Sequence, residues 1–213
     1  VFDLKLKEMK KIFIINAGQN FGHSGGKYNN TIAKETLSFF DEQENVEVRQ
    51  TVIAEGYDPK KEVEKFVWAD IVIYHTPIWW FQLPHGFKKY IDEVFTAGHQ
   101  KGIYRSDGRS AENPKINYGT GGMLHGRTYM LTTSWNAPET AFTLPGEFFK
   151  ERSVDEGALF GFHRMNAFAG MEPLKSFHFH DVEKNADVKR DMAIYRKHLE
   201  QVFVSEQKEK AVA

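Results

Sequence analysis

Two uninterrupted apolar runs stand out along the chain: Ile12, Phe13, Ile14 and Ile15, and later Ile71 to Tyr74. Runs without polar relief mark strands buried on both faces, as in a parallel sheet covered by helices. Between them Val46, Val48 and Val52 alternate with polar neighbours, the pattern of an edge or half-buried strand. Ala33, Leu37 and Phe40 recur at i, i+4 and i+7 and predict a helix over about 28–42. Asp58-Pro59 supplies a second helix start, with Val63, Phe66 and Val67 as its inner face. Phe87, Ile91, Val94 and Phe95 carry a third helix. Thr128 to Thr133 predicts another buried strand, Leu174, Phe177 and Phe179 a last alternating one, and Met192, Tyr195, Leu199 and Val202 a C-terminal helix. Residues 96–126 are glycine-rich and aperiodic, a long surface excursion of the kind that is commonly functional. Residues 137–170 mix short helical pieces with turns.

The order βαβαβα, excursion, β, irregular/α, βα predicts an α/β three-layer sandwich around a five-stranded parallel sheet of order 2-1-3-4-5. Strands 2 and 5 are then the edges, which explains why they alternate while the inner strands do not. One domain is expected across 1–213, with residues 1–10 as an arm and the charged tail from about 205 frayed.

Charge and composition narrow the function classes. A formal net charge of −1 leaves no basic footprint for nucleic acid. No run approaches the roughly 20 apolar residues that span a bilayer, and no signal-peptide pattern opens the chain, so membrane insertion is not expected. The absence of cysteine removes disulfides, thiolate metal sites and cysteine nucleophiles, and is compatible with a cytoplasmic protein. Aromatic residues make up 14% of the chain, with 18 Phe, 8 Tyr and 4 Trp, more than a core alone needs. Pockets for flat ligands and a subunit interface are the natural uses of the surplus.

In an open α/β sheet ligands bind beyond the carboxyl ends of the strands, where strand order reverses. Three loops fall there. GQNFGHSGGKYNNT (18–31) offers free amides at a helix start, an anion site, but is neither a Walker loop nor a GxGxxG fingerprint. TPIWWFQLP (76–84) places Ile78, Trp79, Trp80 and Phe81 in succession, and four consecutive side chains on an extended segment cannot all turn inward. Some must face a ligand or a second subunit. TSWNAPETAF (133–142) adds Trp135 between Ser134 and Asn136. One anion-binding turn beside two aromatic walls suits a flavin nucleotide. His178 and His180 in FHFHD share one strand face, but with no third ligand in the sequence they are expected to be solvated rather than metal-bound.

GHSGGKYN, TPIWW, YRSDGR followed by YGTGG, and TSWNAP followed by FHRMNAFAGMEPL occur in this order between about Lys11 and Phe203. Together they resemble the flavodoxin-like NAD(P)H:quinone oxidoreductases, most of all the bacterial modulator of drug activity B group, with DT-diaphorase and the ancillary subunits of potassium efflux systems as more distant relatives. The resemblance implies a cytoplasmic homodimer with active sites at the interface and a link to oxidative stress. It implies one FAD per subunit, FMN being the less expected cofactor, and two-electron hydride transfer from NADPH or NADH to flavin N5 and on to a quinone by a ping-pong mechanism. On this resemblance His23, Ser24, Lys27, Tyr28, Asn29 and Thr31 would surround the pyrophosphate. Pro77, Ile78, Trp79, Trp80 and Phe81 would flank the isoalloxazine, and Ser134, Trp135, Asn136 and Ala137 would border its other end. Tyr118 of the YGTGG flap would lie over the cofactor and substrate region, and Tyr118 or His163 could protonate the hydroquinone. Mammalian relatives carry Gly-Gly where this chain has Trp135-Asn136, a difference that reshapes the pocket. Two other functions fit the same features: a flavin-binding regulatory subunit of a potassium efflux system, and an FMN-dependent azoreductase or nitroreductase.

Overall fold

The computed structural model describes residues 9–22 and 24–205. The expected arm lies largely outside the described residues, as do His23 and the tail beyond Ser205. Four strands, β1 (Lys10–Asn16), β2 (Val46–Val52), β3 (Ile71–Pro77) and β4 (Thr128–Ser134), pair in parallel in the order β2-β1-β3-β4. The continuous apolar runs of β1 and β3 are buried, as runs sandwiched between helices must be.

The fifth position differs from a simple strand. Two short strands occupy it, β5 (Glu172–Pro173) and β6 (Phe177–Phe179), both parallel to β4. Their partners Tyr129 and Thr132 lie three residues apart, whereas Pro173 and Phe177 lie four apart, so the edge carries one extra residue. The amides of Glu172 and Leu174 donate to Arg127 and Tyr129, so the missing N–H of Pro173 falls on the outer edge, where a strand tolerates proline, and the pairing lapses after Leu174.

Alternation splits the side chains between two faces. Phe13, Ile15, Val72, Tyr74, Tyr129 and Leu131 meet α2 (Pro59–Trp68), α3 (His85–Ala97) and α5 (Phe160–Ala169). Ile12, Ile14, Ile73 and Met130 meet α1 (Lys27–Asp41) and α6 (Val188–Glu200), the latter followed by a π-type turn, Gln201–Ser205. A short helix, α4 (Thr140–Thr143), follows β4. The Asp58 carboxylate accepts from the amides of Lys60 and Lys61, the N-cap that its place before Pro59 predicts. The excursion starts where α3 ends and returns where β4 begins, so it runs along the amino edge of the sheet.

Candidate functional site

The carboxyl edge of the sheet holds a cleft of about 420 Å³. Its first wall is the turn between β1 and α1. Asn16 accepts through Oδ1 from the Gly18 amide at 2.9 Å and from Asn29 Nδ2 at 2.6 Å, which ties the start of the turn to the first turn of the helix. Gly26 caps α1 at φ 66°, with the backbone N and O of Gln19 only 3.2 Å from where a Cβ would stand. No side chain caps this helix and no acidic residue occupies its first turn, so its amides and dipole face the cleft uncompensated. Asn29 is buried, and its Oδ1 has no partner.

The second wall is a hairpin. The amides and carbonyls of Trp79 and Gln82 exchange hydrogen bonds at 3.0 Å, leaving Trp80 and Phe81 as the two turn residues. Both take left-handed φ values, 49° and 64°, the geometry of a tight hairpin turn that ordinarily selects Asn-Gly. Pro77, Ile78 and Trp79 line the cleft, and Trp79 stacks on Phe21 at 5.2 Å, holding hairpin and turn together. Trp80 stands 90% exposed at the tip. Phe81 is 44% exposed and leans on Phe148 and Phe149, with centroids 5.3 and 5.6 Å away.

The third wall comes from the loop after β4, through Ser134 and Asn136. Trp135 itself is 3% exposed and turned into the core against Phe142 and Phe149, its indole N–H donating to Thr133 Oγ1 at 2.8 Å. Its backbone is nonetheless central. Its amide donates to the Phe179 carbonyl and its carbonyl accepts from Val182, the residue that lines the cleft with Glu183.

The cleft thus gathers Ser24, Lys27, Tyr28, Asn29, Pro77, Ile78, Trp79, Ser134 and Asn136 from the candidates. Apart from His23, outside the described residues, the side chains of the rest stand elsewhere. Thr31 turns its hydroxyl back onto the Lys27 carbonyl, and Ala137 packs against the core. Tyr118 lies 71% exposed in the excursion beside Phe168, on the opposite edge of the sheet from the cleft. His163 faces Tyr129 and Asp155. Val182 and Glu183 line the cleft without being among the sequence candidates, since the loop after the edge strand lies outside the three at the switch point. The signal was there: DVE follows FHFH at the same carboxyl edge.

The two edge-strand histidines are not solvated. His178 is mostly buried, its Nδ1 2.7 Å from Thr133 Oγ1 and its Nε2 3.2 Å from Asp155, while His180 packs on Phe142. Desolvation lowers the pKa of His180. Among the described residues no group of three or more His, Cys, Asp or Glu is placed to hold a metal ion. His75 is buried with neither ring nitrogen partnered, and desolvation pushes its pKa down to about 3.

Uncapped amides and a lysine suit a phosphate-bearing group, and Ile78 and Trp79 offer apolar surface to a flat ring beside it. A family model described as flavodoxin-like fold matches residues 10–203. An uncharacterized protein of Schizosaccharomyces pombe is 48% identical over 198 residues, covering 92% of this chain and 98% of its own length. The NADPH:quinone oxidoreductase MdaB of Haemophilus influenzae is 46% identical over 195 residues, covering 90% and 98%. Among solved structures, the general stress protein 14 of Treponema denticola in complex with FMN superposes with a TM-score of 0.57 at 21% identity, over 89% of this chain and 99% of that one.

Proposed function

The chain belongs to the flavodoxin-like fold family, and from that premise we propose that it is a flavin-dependent NAD(P)H:quinone oxidoreductase. The observation that carries the reading is the junction of the uncapped α1 start with the Pro77–Trp79 ridge and the Ser134/Asn136 rim in one cleft. The extent of similarity to the Haemophilus influenzae oxidoreductase supports it.

When bound, a flavin would supply the two-electron hydride chemistry that links a reduced nicotinamide to a quinone. The chain's own work is to bind, orient and exclude water. The amides of Gly25 to Lys27 and the Lys27 ammonium would hold phosphate oxygens. Ile78 and Trp79 would press on the ring, and Ser134 and Asn136 would offer hydrogen bonds to its polar edge. Beyond the phosphate turn the cleft continues to Val182 and Glu183. A carboxylate there would accept hydrogen bonds from the hydroxyls and amino group of an adenosine, which favours FAD over FMN. Nicotinamide and quinone would use the same open face in turn, so parallel initial-rate lines are expected.

A homodimer fits the remaining features. Tyr118 stands at the wrong edge to reach the cleft of its own chain, so in this reading it serves the cleft of a second copy. Phe81, Phe148 and Phe160 are exposed apolar residues. An apolar groove of about 660 Å³ runs between α3 and α5 nearby. Burying such surface is what an isologous interface does. Sedimentation should give twice the chain mass, and a monomer at micromolar concentration would remove this part of the reading.

The decisive experiment is direct. The purified protein should be yellow, and the cofactor released by heat should be identified by mass as FAD. A protein that stays colourless after incubation with FAD and with FMN would refute the enzyme reading. FMN in place of FAD would point to the azoreductase or nitroreductase alternative.

A further inference from the structure

Behind the rim of the cleft lies a chain of hydrogen-bonding side chains drawn from three distant segments. Tyr129 of β4 meets His163 Nδ1 of α5 at 2.6 Å, and His163 Nε2 lies 2.8 Å from Asp155 Oδ1. His178 of β6 brings its Nε2 to 3.2 Å from the same oxygen, an ion-pair contact rather than an aligned hydrogen bond. Its Nδ1 lies 2.7 Å from Thr133 Oγ1, which in turn accepts from the Trp135 indole.

The protons can be assigned around this chain. An indole N–H only donates, so it takes one lone pair of Thr133. The Thr133 hydroxyl is then free to donate to His178 Nδ1, which leaves the His178 proton on Nε2, facing Asp155. The Tyr129 hydroxyl likewise donates to His163 Nδ1 and leaves that proton on Nε2, again facing Asp155. Both arms converge on one carboxylate, His163 through an aligned hydrogen bond and His178 through an electrostatic contact at 3.2 Å. The two imidazoles hold the Asp155 carboxyl well below the usual carboxylate range, although burial opposes this.

We propose that Asp155 is a positioning residue for the cleft, fixing the Trp135 segment through His178 and Thr133 and anchoring it to α5 through His163. The Trp135 backbone bonds to both Phe179 and Val182, so its orientation sets two stretches of rim together, Ser134/Asn136 and Val182/Glu183. Asp155 is not among the residues that line the cleft. Its effect on flavin and acceptor rests on the function proposed above, whereas its effect on Trp135 does not.

The test compares Asp155→Ala and Asp155→Asn with the unaltered protein, flavin-free and flavin-loaded. Asparagine keeps the size and one acceptor oxygen without the charge. The first readout is the ¹⁵N-indole NMR signal of Trp135, assigned by its loss in Trp135→Phe. It should shift in the alanine variant and less in the asparagine variant, while the signals of Trp68, Trp79 and Trp80 stay in place. In the loaded protein, the Kd for flavin and the KM for quinone should each rise roughly tenfold with alanine, as expected for a site displaced by a fraction of an ångström. Asparagine should restore most of that loss, with kcat changed little. An unmoved Trp135 signal in both variants would overturn the proposal, as would a moved signal with unchanged Kd and KM. If the alanine variant fails to fold, the asparagine variant decides on the same signals. A protein that binds no flavin would refute the oxidoreductase reading, while the flavin-free indole spectra still decide whether Asp155 positions Trp135.

Discussion

Replacing Trp80 by asparagine should make the protein more stable and a poorer enzyme. Trp80 sits at φ 49° in the hairpin tip, a region that costs an ordinary side chain about 1–2 kcal/mol and that asparagine tolerates far better. Little packing is lost in exchange, because the indole is 90% exposed. The net gain should be about 1 kcal/mol, which for a chain of this size raises Tm by roughly 2–4 °C. Thermal unfolding followed by circular dichroism on the flavin-free protein is the appropriate assay, since bound ligand would add its own stabilisation. Steady-state turnover of the loaded variant supplies the other half, with a higher KM for the acceptor expected as the aromatic face is removed. A variant with unchanged or lower Tm would refute the strain argument. A more stable variant with unaltered kinetics would show that the strained tryptophan serves neither acceptor nor cofactor.

Gly26→Ala forces a methyl group to 3.2 Å from the Gln19 backbone at a positive φ, so it should lose about 1–2 kcal/mol of stability and weaken flavin retention, read by fluorescence titration. Retention equal to the parent's would detach the α1 start from the cofactor. His75 has its pKa lowered to about 3 when folded, so the unfolded chain takes up the proton first as pH falls below its ordinary value. Its contribution to stability is therefore intact above about pH 6.5 and is lost progressively down to about pH 3, with a slope approaching 1.4 kcal/mol per pH unit. Urea melts of His75→Asn between pH 7 and pH 5 should show a flatter decline than the parent, though His180 and His198, also lowered by burial, keep some slope. Identical slopes would show that another group governs the acid limb. Lys27→Ala should weaken flavin binding more at low salt than at high, because a surface charge is screened; a salt-independent loss would argue against a phosphate contact.

Much of the sheet was legible because the buried stretch of an inner parallel strand runs apolar without alternation, as Ile12 to Ile15 of β1 and Ile71 to Tyr74 of β3 do. The α1 start was legible for a similar reason, since few sequences other than an anion turn spend so many glycines before a helix. The hairpin was not. Its turn residues are aromatic where turn chemistry calls for Asn-Gly, so local propensity pointed away from the turn that forms. Trp135 was expected beside the ligand, but whether a residue just past a strand end continues the alternation or leaves it depends on what covers that face, here Phe142 and Phe149. His178 was expected in solvent because its partners, Asp155 and His163, come from sequence positions that no local pattern connects to it. Tyr118 was expected near the cleft from its motif, whereas the topology sends its loop to the other edge.

The extra residue between β5 and β6 makes chain length at this edge a matter of parity. Phe177 and Phe179 reach the α1–α6 layer and His178 reaches Thr133 only in the present phase. Deleting one residue from 174–176 would exchange the two faces, turning the phenylalanines toward Asp155 and the histidine toward Tyr195. Related chains should therefore vary in length here by two residues or not at all. Single-residue insertions should be found instead in the excursion, where no alternating side chains depend on the count.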